Sequence, residues 1–430
     1  MNVCLMNDSF PPLIDGVANT VQNYANILTD NGDKVMVAVP DYPGAVDDYR
    51  YQVVRYPSLP TTKLVGYRAG YPFSASTLDE LEKANFDLIH SHCPFVSTVV
   101  ARTLRERTDV PVVFTYHTKF DIEIKRLVKS EMLQEKTIET LVKNIASCDE
   151  VWAVSKGAAN NLYSMGYKGD IVVMENGVDF PKGAASEKLV NELAGKHGVD
   201  RSKPVYLFVG RLRWYKGIRE ILDGLSLLNR DGKDFTMIFI GNGEDREEME
   251  KYAESAGVSE KCKFIGEVHD REELRGYYTL ADLFLFPSSY DTFGLVVREA
   301  AACGTASMLV RGSCAAEDAA DDVDSFFIEE SGESIYRKLS QVGFNKERLK
   351  QVGENAQRNL YISWGDSVAQ AKERYQVVLD KYKYGCTNRR FEWTDEFFNA
   401  MEEICDKVTW VRNRKDKIKS IGRDFRDSIL

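Results

Sequence analysis

Cations stand next to glycines at the end of an apolar run in the second half of the chain. Residues 208–211 read Phe-Val-Gly-Arg, and Lys216 and Gly217 follow shortly after. Glycine lets backbone N–H groups approach an anion, and a helix start adds a favourable dipole. Arg211 offers a guanidinium fork and Lys216 an ammonium, so the group suits a diphosphate. An ordinary strand-to-helix turn with two solvated cations fits the same residues.

A second glycine-rich turn follows the next apolar run, where residues 240–244 read Ile-Gly-Asn-Gly-Glu. Gly241 and Gly243 would let a nucleotide approach the backbone. The dinucleotide fingerprint GxGxxG is absent, because Arg246 stands where its last glycine would be. A nucleotide contact and a plain tight turn both remain open.

Two carboxylates eight positions apart mark the most informative stretch, residues 286–300. Asp291 precedes a predicted helix and Glu299 lies inside it, while Phe293 and Gly294 would expose backbone N–H groups at the helix start. One carboxylate could bind sugar hydroxyls and the other ribose hydroxyls. The alternative is a helix-capping Asp and a buried, paired Glu.

Two short patterns could in principle bind a metal. Asp322 and Asp324 form a DxD sequence, which we interpret as a solvated loop. His90 and His92 have no third ligand nearby in sequence, so we expect a structural pair at a strand end. We therefore predict no metal site.

Short apolar runs alternate with helical stretches, which predicts an α/β protein with parallel sheets. The predicted strands of the first series are 3–6, 34–39, 88–90, 112–116 and 150–154. Those of the second series are 205–209, 236–240, 263–265, 283–286, 306–309 and 326–328. Helices are predicted at 16–28, 217–228, 245–256 and 366–381, and a long helix or a helical pair at 120–145.

The pattern predicts two doubly wound domains facing a cleft. The first domain spans 1–180, a linker spans 181–203, and the second domain spans 204–362. A helix at 363–385 and a polar, helical tail at 386–430 follow. In such sheets ligands bind at the carboxyl ends of the strands, so both glycine turns and Asp291 would face the cleft.

Composition narrows the function classes. Lys and Arg number 56 against 66 Asp and Glu, a net charge of −10, which argues against a nucleic-acid partner. No apolar run approaches the roughly 18 residues of a spanning helix, and the N-terminus lacks the basic start of a signal peptide. Eight scattered cysteines without a CxxC pair indicate reduced thiols, hence a cytoplasmic protein.

The order of the motifs carries a family resemblance. VGRLxxxKG, GNGE, FxGxV and ADLFLFPSxxDTFGLxxxEAxAxG resemble the nucleotide-binding domain of GT-B glycosyltransferases, and more narrowly the retaining glycosyltransferase family 4. The first half adds a glycine turn at Gly16 and Val17, a strand-end histidine at His117, and Asn-Gly-Val-Asp at 176–179. The similarity covers roughly residues 1–380.

The resemblance implies a role for each matching position. Catalytic roles fall to His117, near the reacting carbon of the transferred sugar, to Arg211 and Lys216, at the donor diphosphate, and to Asp291, at the donor sugar. The implied donor-binding residues are Gly16, Val17, Gly210, Gly241, Gly243, Val268, Phe293, Gly294, Leu295 and Glu299. Among them Glu299 would hold the ribose, and the turn at Val268 would line the base pocket. The helix at 363–385 would cross back to the first domain.

The resemblance also implies a chemistry, namely transfer of a hexose with retention and without a metal or other cofactor. UDP-glucose is the leading donor, with other UDP-hexoses and GDP-mannose behind it. Three positions depart from the family pattern: Asp291 replaces the usual Glu, Tyr215 an acidic residue, and Thr305 a proline. The shorter Asp291 leaves the choice of donor sugar open.

Residues 66–73, with the DGVAN turn and YHTKF, are most similar to a bacterial branch that glucosylates diacylglycerol. A lipid is therefore one candidate acceptor, and a soluble or cell-wall molecule another. Members of that branch contact anionic membranes. In this chain the contact could be made by residues 119–143 or by the end of the tail from Trp410, which has a net charge of +4. That contact would place the protein at the inner face of the membrane.

A GT-B epimerase and a scaffold with a decayed site are the alternatives to a transferase. His117, Arg211, Lys216 and Glu299 are all present, which argues against decay.

Overall fold

Two parallel sheets organise the chain in this computed structural model, which describes residues 1–13, 15–62, 68–72 and 74–385. The first sheet has seven strands and the second has six. This confirms the prediction of an α/β protein with two Rossmann-like halves. The tail predicted at 386–430 lies outside the described residues.

The first sheet has the strand order β3-β2-β1-β6-β7-β8-β9. The first-domain strands are β1 (Asn2–Met6), β2 (Lys34–Pro40), β3 (Gln52–Tyr56), β4 (Ser58–Leu59), β5 (Ala69–Gly70), β6 (Leu88–Ser91), β7 (Val112–Tyr116), β8 (Glu150–Ala153) and β9 (Ile171–Val173). The helices described here are α1 (Gly16–Asp30), α2 (Ala75–Glu82), α3 (Val96–Thr108), α4 (Phe120–Leu127), α5 (Glu131–Ala146) and α6 (Lys156–Ser164). Short strands β4 and β5 form a separate antiparallel pair.

The second sheet has the order β12-β11-β10-β13-β14-β15. Its strands are β10 (Val205–Val209), β11 (Thr236–Ile240), β12 (Cys262–Gly266), β13 (Leu283–Phe286), β14 (Ala306–Val310) and β15 (Ser325–Ile328). The helices from residue 187 onward are α7 (Glu187–His197), α8 (Ile218–Arg230), α9 (Arg246–Ser255), α10 (Arg271–Leu280), α11 (Leu295–Ala302), α12 (Gly332–Val342), α13 (Lys346–Asn359) and α14 (Trp364–Lys383). The strand order reverses beside β1 in the first sheet and beside β10 in the second. In open α/β sheets generally, ligands bind at the carboxyl ends of the strands at such a point.

The two strands that the sequence did not indicate in the main sheets, β3 and β9, lie at the edges of the first sheet. An edge strand is covered less completely than a central one, so its apolar run is weaker. Residues of β9, for example, are all partly or fully exposed. The segment 120–145 is a helical pair, α4 and α5, rather than one helix.

The segment expected to be a linker, 181–203, contains helix α7. The Ser186 side chain accepts a hydrogen bond from Leu189 N at its start, and Gly198 ends it at a φ of +61°. Val190 and Leu193 are buried in the core of the second domain. The segment therefore belongs to the second domain, because an amphipathic helix stabilises a fold only where its apolar face is covered.

Helix α14 returns to the first domain. Trp364, Val368 and Tyr375 are buried in the core that contains Val3 and Trp152. Ion pairs fix the helix at its surface, with Lys372 Nζ 2.6 Å from Asp33 Oδ2 and Arg374 Nη2 2.6 Å from Glu150 Oε2. Within the described ranges, no helix is long and apolar enough to cross a membrane.

Candidate active site

The end of β10 presents the expected phosphate-binding residues at the reversal point of the second sheet. Gly210 follows the strand, and Arg211 is exposed and makes no ion pair with any described residue. A short 3-10 turn at Trp214–Lys216 then leads into α8. The turn is fixed from the neighbouring loop, since Trp214 N donates to Asp245 Oδ2 at 3.0 Å. Two cations are therefore presented at one sheet edge.

Gly241 and Gly243 allow the loops after β10 and β11 to touch. A Cβ on Gly241 would lie 2.0 Å from the Gly210 carbonyl oxygen, and one on Gly243 would lie 2.1 Å from that of Leu212. The backbones are hydrogen-bonded there, with Leu212 N donating to Asn242 O at 2.9 Å. These glycines are required by packing, and their contact with a nucleotide stays a prediction.

Asp291 lies beside Lys216 after β13. Lys216 Nζ is 2.7 Å from Asp291 Oδ1, and Ser288 Oγ donates to Asp291 Oδ2 at 2.6 Å. Both charged side chains keep some exposure, which leaves them accessible to a ligand. The structure thus brings together the residues predicted for the phosphates and for the donor sugar.

Glu299 is buried inside α11 and is held by two donors that sequence reasoning missed. Arg271 Nη2 donates to Oε1 at 2.7 Å, and the Tyr278 hydroxyl donates to Oε2 at 2.9 Å. Burial raises the pKa of the Glu299 carboxyl, and Arg271 opposes that shift. Arg271 and Tyr278 both lie in α10, and no spacing in the sequence connects them with Glu299. A carboxylate fixed in this way has its remaining lone pairs oriented for hydroxyl groups.

The start of α11 lies at the boundary between the two domains. Gly294 has a φ of +71°, and a Cβ there would lie 2.6 Å from Ala315 Cβ. Phe293 is buried in the core of the first domain, and Leu295 packs against both cores. The side chains of Phe293 and Leu295 therefore join the domains, while a sugar contact through their backbone stays a prediction.

Gly16 and Val17 open α1 on the first-domain side. The side chain of Asp15 caps this helix, accepting hydrogen bonds from Val17 N at 2.9 Å and Ala18 N at 2.8 Å. Gly16 is exposed, and a Cβ there would meet no atom within 4 Å. Gly16 thus has space around its backbone, whereas the Val17 N–H is already used by the cap.

His117 follows β7 and faces the loop that carries Asp291. The Thr292 hydroxyl donates to the His117 carbonyl oxygen at 2.7 Å, and the Ser155 hydroxyl donates to the Thr292 carbonyl oxygen at 2.5 Å. Burial lowers the pKa of His117 to about 3, so its imidazole is neutral at physiological pH. The first domain therefore meets the second at the backbone of His117, through the residue that follows Asp291.

Val268 follows the end of β12, beside the Gly241 turn, since Gly241 N donates to the Gly266 carbonyl oxygen at 2.8 Å. Gly266 turns the chain there at a φ of +92°, and Val268 is partly buried against the core of the second domain. The interpretation of Asp322 and Asp324 as a solvated loop is wrong for Asp324. Asp322 is exposed and pairs with Lys338, whereas Asp324 is buried and accepts a hydrogen bond from Ala320 N.

Two family models match the chain. The model described as Glycosyltransferase Family 4 matches residues 14–181, and the one described as Glycosyl transferases group 1 matches residues 190–359. Together they span most of both domains.

Among curated proteins, the alpha-monoglucosyldiacylglycerol synthase of Streptococcus pneumoniae is 22% identical over 309 residues, 71% of this chain and 70% of that protein. The synthase of the same name from Acholeplasma laidlawii is 23% identical over 376 residues, 83% of this chain and 92% of that protein. Among solved structures, Anabaena HepE in complex with UDP has a TM-score of 0.70 at 18% identity, covering 88% of this chain and all of that one. This last likeness concerns the fold.

Proposed function

The chain belongs to glycosyltransferase family 4 and is a glycosyltransferase of the GT-B fold, and on that basis we propose a specific reaction. The protein transfers glucose from UDP-glucose to an acceptor hydroxyl, retains the anomeric configuration and uses no metal. The acceptor is a diacylglycerol-type lipid presented at the inner face of a membrane.

One observation carries the reaction type. Lys216 and Asp291 are 2.7 Å apart on the second domain, and Thr292, the next residue, hydrogen-bonds the backbone of His117 on the first. The Lys216–Asp291 pair follows strands of the second sheet, His117 follows a strand of the first, and Thr292 links the two sides through the His117 backbone. A sugar diphosphate placed there would have its phosphates near the cation and its sugar near the other two groups.

Two cations near the expected position of the phosphates support the proposal of a reaction without a metal. When the bond between sugar and diphosphate breaks, negative charge grows on the leaving phosphate. Fixed cations directed at that charge lower the barrier, which is the role that a divalent metal has in other transferases. Among the described residues, Arg211 has no ion-pair partner and Lys216 has one, Asp291, so both cations remain available to phosphate oxygens.

The names of the relatives support the donor and acceptor. Two synthases of monoglucosyldiacylglycerol match at 22% and 23% identity, and solved neighbours were captured with UDP and with UDP-glucose. None of these names supports the alternative of a sugar-nucleotide epimerase.

The helical hairpin of α4 and α5 supports a lipid acceptor. It begins at the cleft, where Lys119 Nζ is 3.5 Å from the Ser289 carbonyl oxygen of the other domain. Around its turn Leu127, Met132 and Leu133 are 48%, 61% and 51% exposed. Exposed apolar side chains flanked by lysine and arginine, such as Lys125, suit the interface of an anionic membrane.

The donor is tested by thermal unfolding in the presence of UDP, UDP-glucose, UDP-galactose, GDP and GDP-mannose. Binding to the folded state raises its stability, so UDP and UDP-glucose should give the largest shifts. Transfer is then assayed in micelles containing diacylglycerol and with soluble sugars, with EDTA present, and the product anomer is determined by NMR. A GDP preference, an inverted product or loss of activity in EDTA would contradict the corresponding part of the proposal.

The membrane contact is tested with the full chain and vesicles that contain phosphatidylglycerol. Replacing two exposed side chains, Met132→Glu with Leu133→Glu, should reduce co-sedimentation. The matched control is Val323→Glu, since Val323 is 48% exposed on the second domain. This substitution should leave co-sedimentation unchanged. Equal sedimentation of both variants would remove the hairpin from the proposal.

A further inference from the structure

Three histidines form a buried cluster at the carboxyl ends of β6 and β7. This histidine cluster comprises His90, His92 and His117, with ring centroids 4.0 Å apart between the first two and 5.2 Å apart between the last two. Burial lowers the pKa of all three, so each imidazole is neutral at physiological pH. A neutral imidazole carries one N–H and one lone pair, and which nitrogen has the proton depends on its partners.

His90 is anchored through both ring nitrogens. Its Nδ1 is 2.6 Å from the hydroxyl of Tyr375 in α14, and its Nε2 is 2.7 Å from Thr115 Oγ1. Both nitrogens are therefore engaged, which leaves neither free to bind a metal. His90 and Tyr24, whose ring lies edge-on to His92 at 5.5 Å, fix the position of the His92 ring.

His92 and His117 share a hydrogen bond, because His92 Nδ1 is 3.0 Å from His117 Nε2. Only one of these two nitrogens can carry the proton. If His117 Nε2 carries this proton, His92 must carry its own proton on Nε2. If His92 Nδ1 carries it, His92 Nε2 has only a lone pair.

The surroundings of His92 Nε2 decide between these two arrangements. This atom is buried and has no hydrogen-bond partner among the described residues. Buried N–H groups without a partner are rarer than buried acceptors without one, because leaving the donor unpaired forfeits a full hydrogen bond to water. His92 therefore has its proton on Nδ1 and donates it to His117 Nε2.

We propose that His92 is the positioning residue for His117. Its Nδ1–H fixes the His117 ring and tautomer, so that the remaining N–H of His117, on Nδ1, donates to a hydroxyl of the bound sugar. The contact with sugar rests on the proposed function, whereas the tautomer does not.

NMR of protein labelled with 15N-histidine tests the tautomer directly. The chain has only five histidines, so assignment by substitution is practical. We expect His117 in the Nδ1–H form in the wild type. A His117 signal in the Nε2–H form would overturn the proposal, whatever the enzyme transfers.

Two variants test the consequence. His92→Leu removes the donor while keeping an apolar volume, and His92→Asn restores an N–H near the position of Nδ1. We expect His92→Leu to lose the single tautomer and to lower kcat about tenfold, with the Kd for UDP unchanged within about twofold. His92→Asn should recover most of the single tautomer of His117 and most of the kcat. The matched control is His197→Asn, since His197 hydrogen-bonds Tyr277 at 2.7 Å on the far side of the second domain.

The outcomes separate the two proposals. Full kcat in His92→Leu, or an equal loss in His92→Leu and His92→Asn, would refute the positioning role. A wild-type protein that turns over no sugar nucleotide would refute the proposed function and leave the tautomer measurement valid.

Discussion

Replacing Glu299 by glutamine separates the role of its charge from that of its shape. The Glu299 side chain is 5% exposed, and its two oxygens accept hydrogen bonds from Arg271 at 2.7 Å and Tyr278 at 2.9 Å. Glu299→Gln keeps the volume, but one oxygen becomes an NH2 group that cannot accept. Among the residues that the structure describes, Arg271 then retains Asp179, at 3.7 Å, as its one charged partner.

The magnitude follows from these contacts. A hydrogen bond to a charged group contributes about 1.5–3 kcal/mol, and a tenfold change in affinity corresponds to about 1.4 kcal/mol. If Glu299 binds the ribose, Glu299→Gln should weaken UDP binding roughly 10- to 100-fold. The loss of unfolding free energy should be smaller, about 1–2 kcal/mol, because a neutral amide avoids the burial cost that raises the pKa of the carboxyl.

Isothermal titration of UDP provides the measurement, with near-UV circular dichroism as the check on folding. Tyr278→Phe is the matched control, since it removes one donor to Glu299 and leaves the carboxylate in place. We expect Tyr278→Phe to weaken UDP binding less than about threefold. A folded Glu299→Gln protein that binds UDP as tightly as the wild type would refute the ribose assignment.

Three further predictions concern the phosphate site, a glycine and the histidine cluster. Lys216→Ala should reduce the rate of sugar transfer at least about a hundredfold, because a fixed cation is lost. Lys233→Ala, in the same domain, should retain activity. Equal transfer rates of the two variants would contradict this. Gly217→Ala should lower the unfolding free energy by about 2 kcal/mol more than Gly232→Ala. Both glycines have positive φ, but only a Cβ on Gly217 would meet another residue, 2.2 Å from the Pro287 carbonyl oxygen. Coinciding denaturant titrations of the two variants would contradict this. Acidification from pH 7.5 to 5.5 should cost about 1.4 kcal/mol for each histidine of the cluster. Burial lowers the pKa values of these histidines in the folded state, whereas in the unfolded chain they titrate near the ordinary value of 6.5. Below pH 6.5 only the unfolded chain takes up protons, so the unfolding free energy falls as the pH falls. Unchanged denaturation midpoints at the two pH values would contradict this.

The parallel strands were predictable because central strands are covered on both faces and therefore form continuous apolar runs. β10 and β13 are entirely buried, and both were found from sequence. Edge strand β9 lacked that signal because water reaches it. Helix α7 had its signals in Ser186 and Gly198, but the polar residues around it indicated a linker.

The reactive groups could be identified from the sequence, namely the glycine turns, Arg211, Lys216, Asp291 and Glu299, each of which follows or lies near a predicted strand. This was possible because strand ends and residue types are local properties. Which groups touch was decided by the tertiary structure alone, since Arg271 reaches Glu299 across 28 positions and His92 reaches His117 across 25. Such contacts depend on how helices and strands distant in sequence pack together, and no local pattern encodes that packing. The protonated nitrogen of His117 is therefore a property of the fold, although the histidine itself is visible in the sequence.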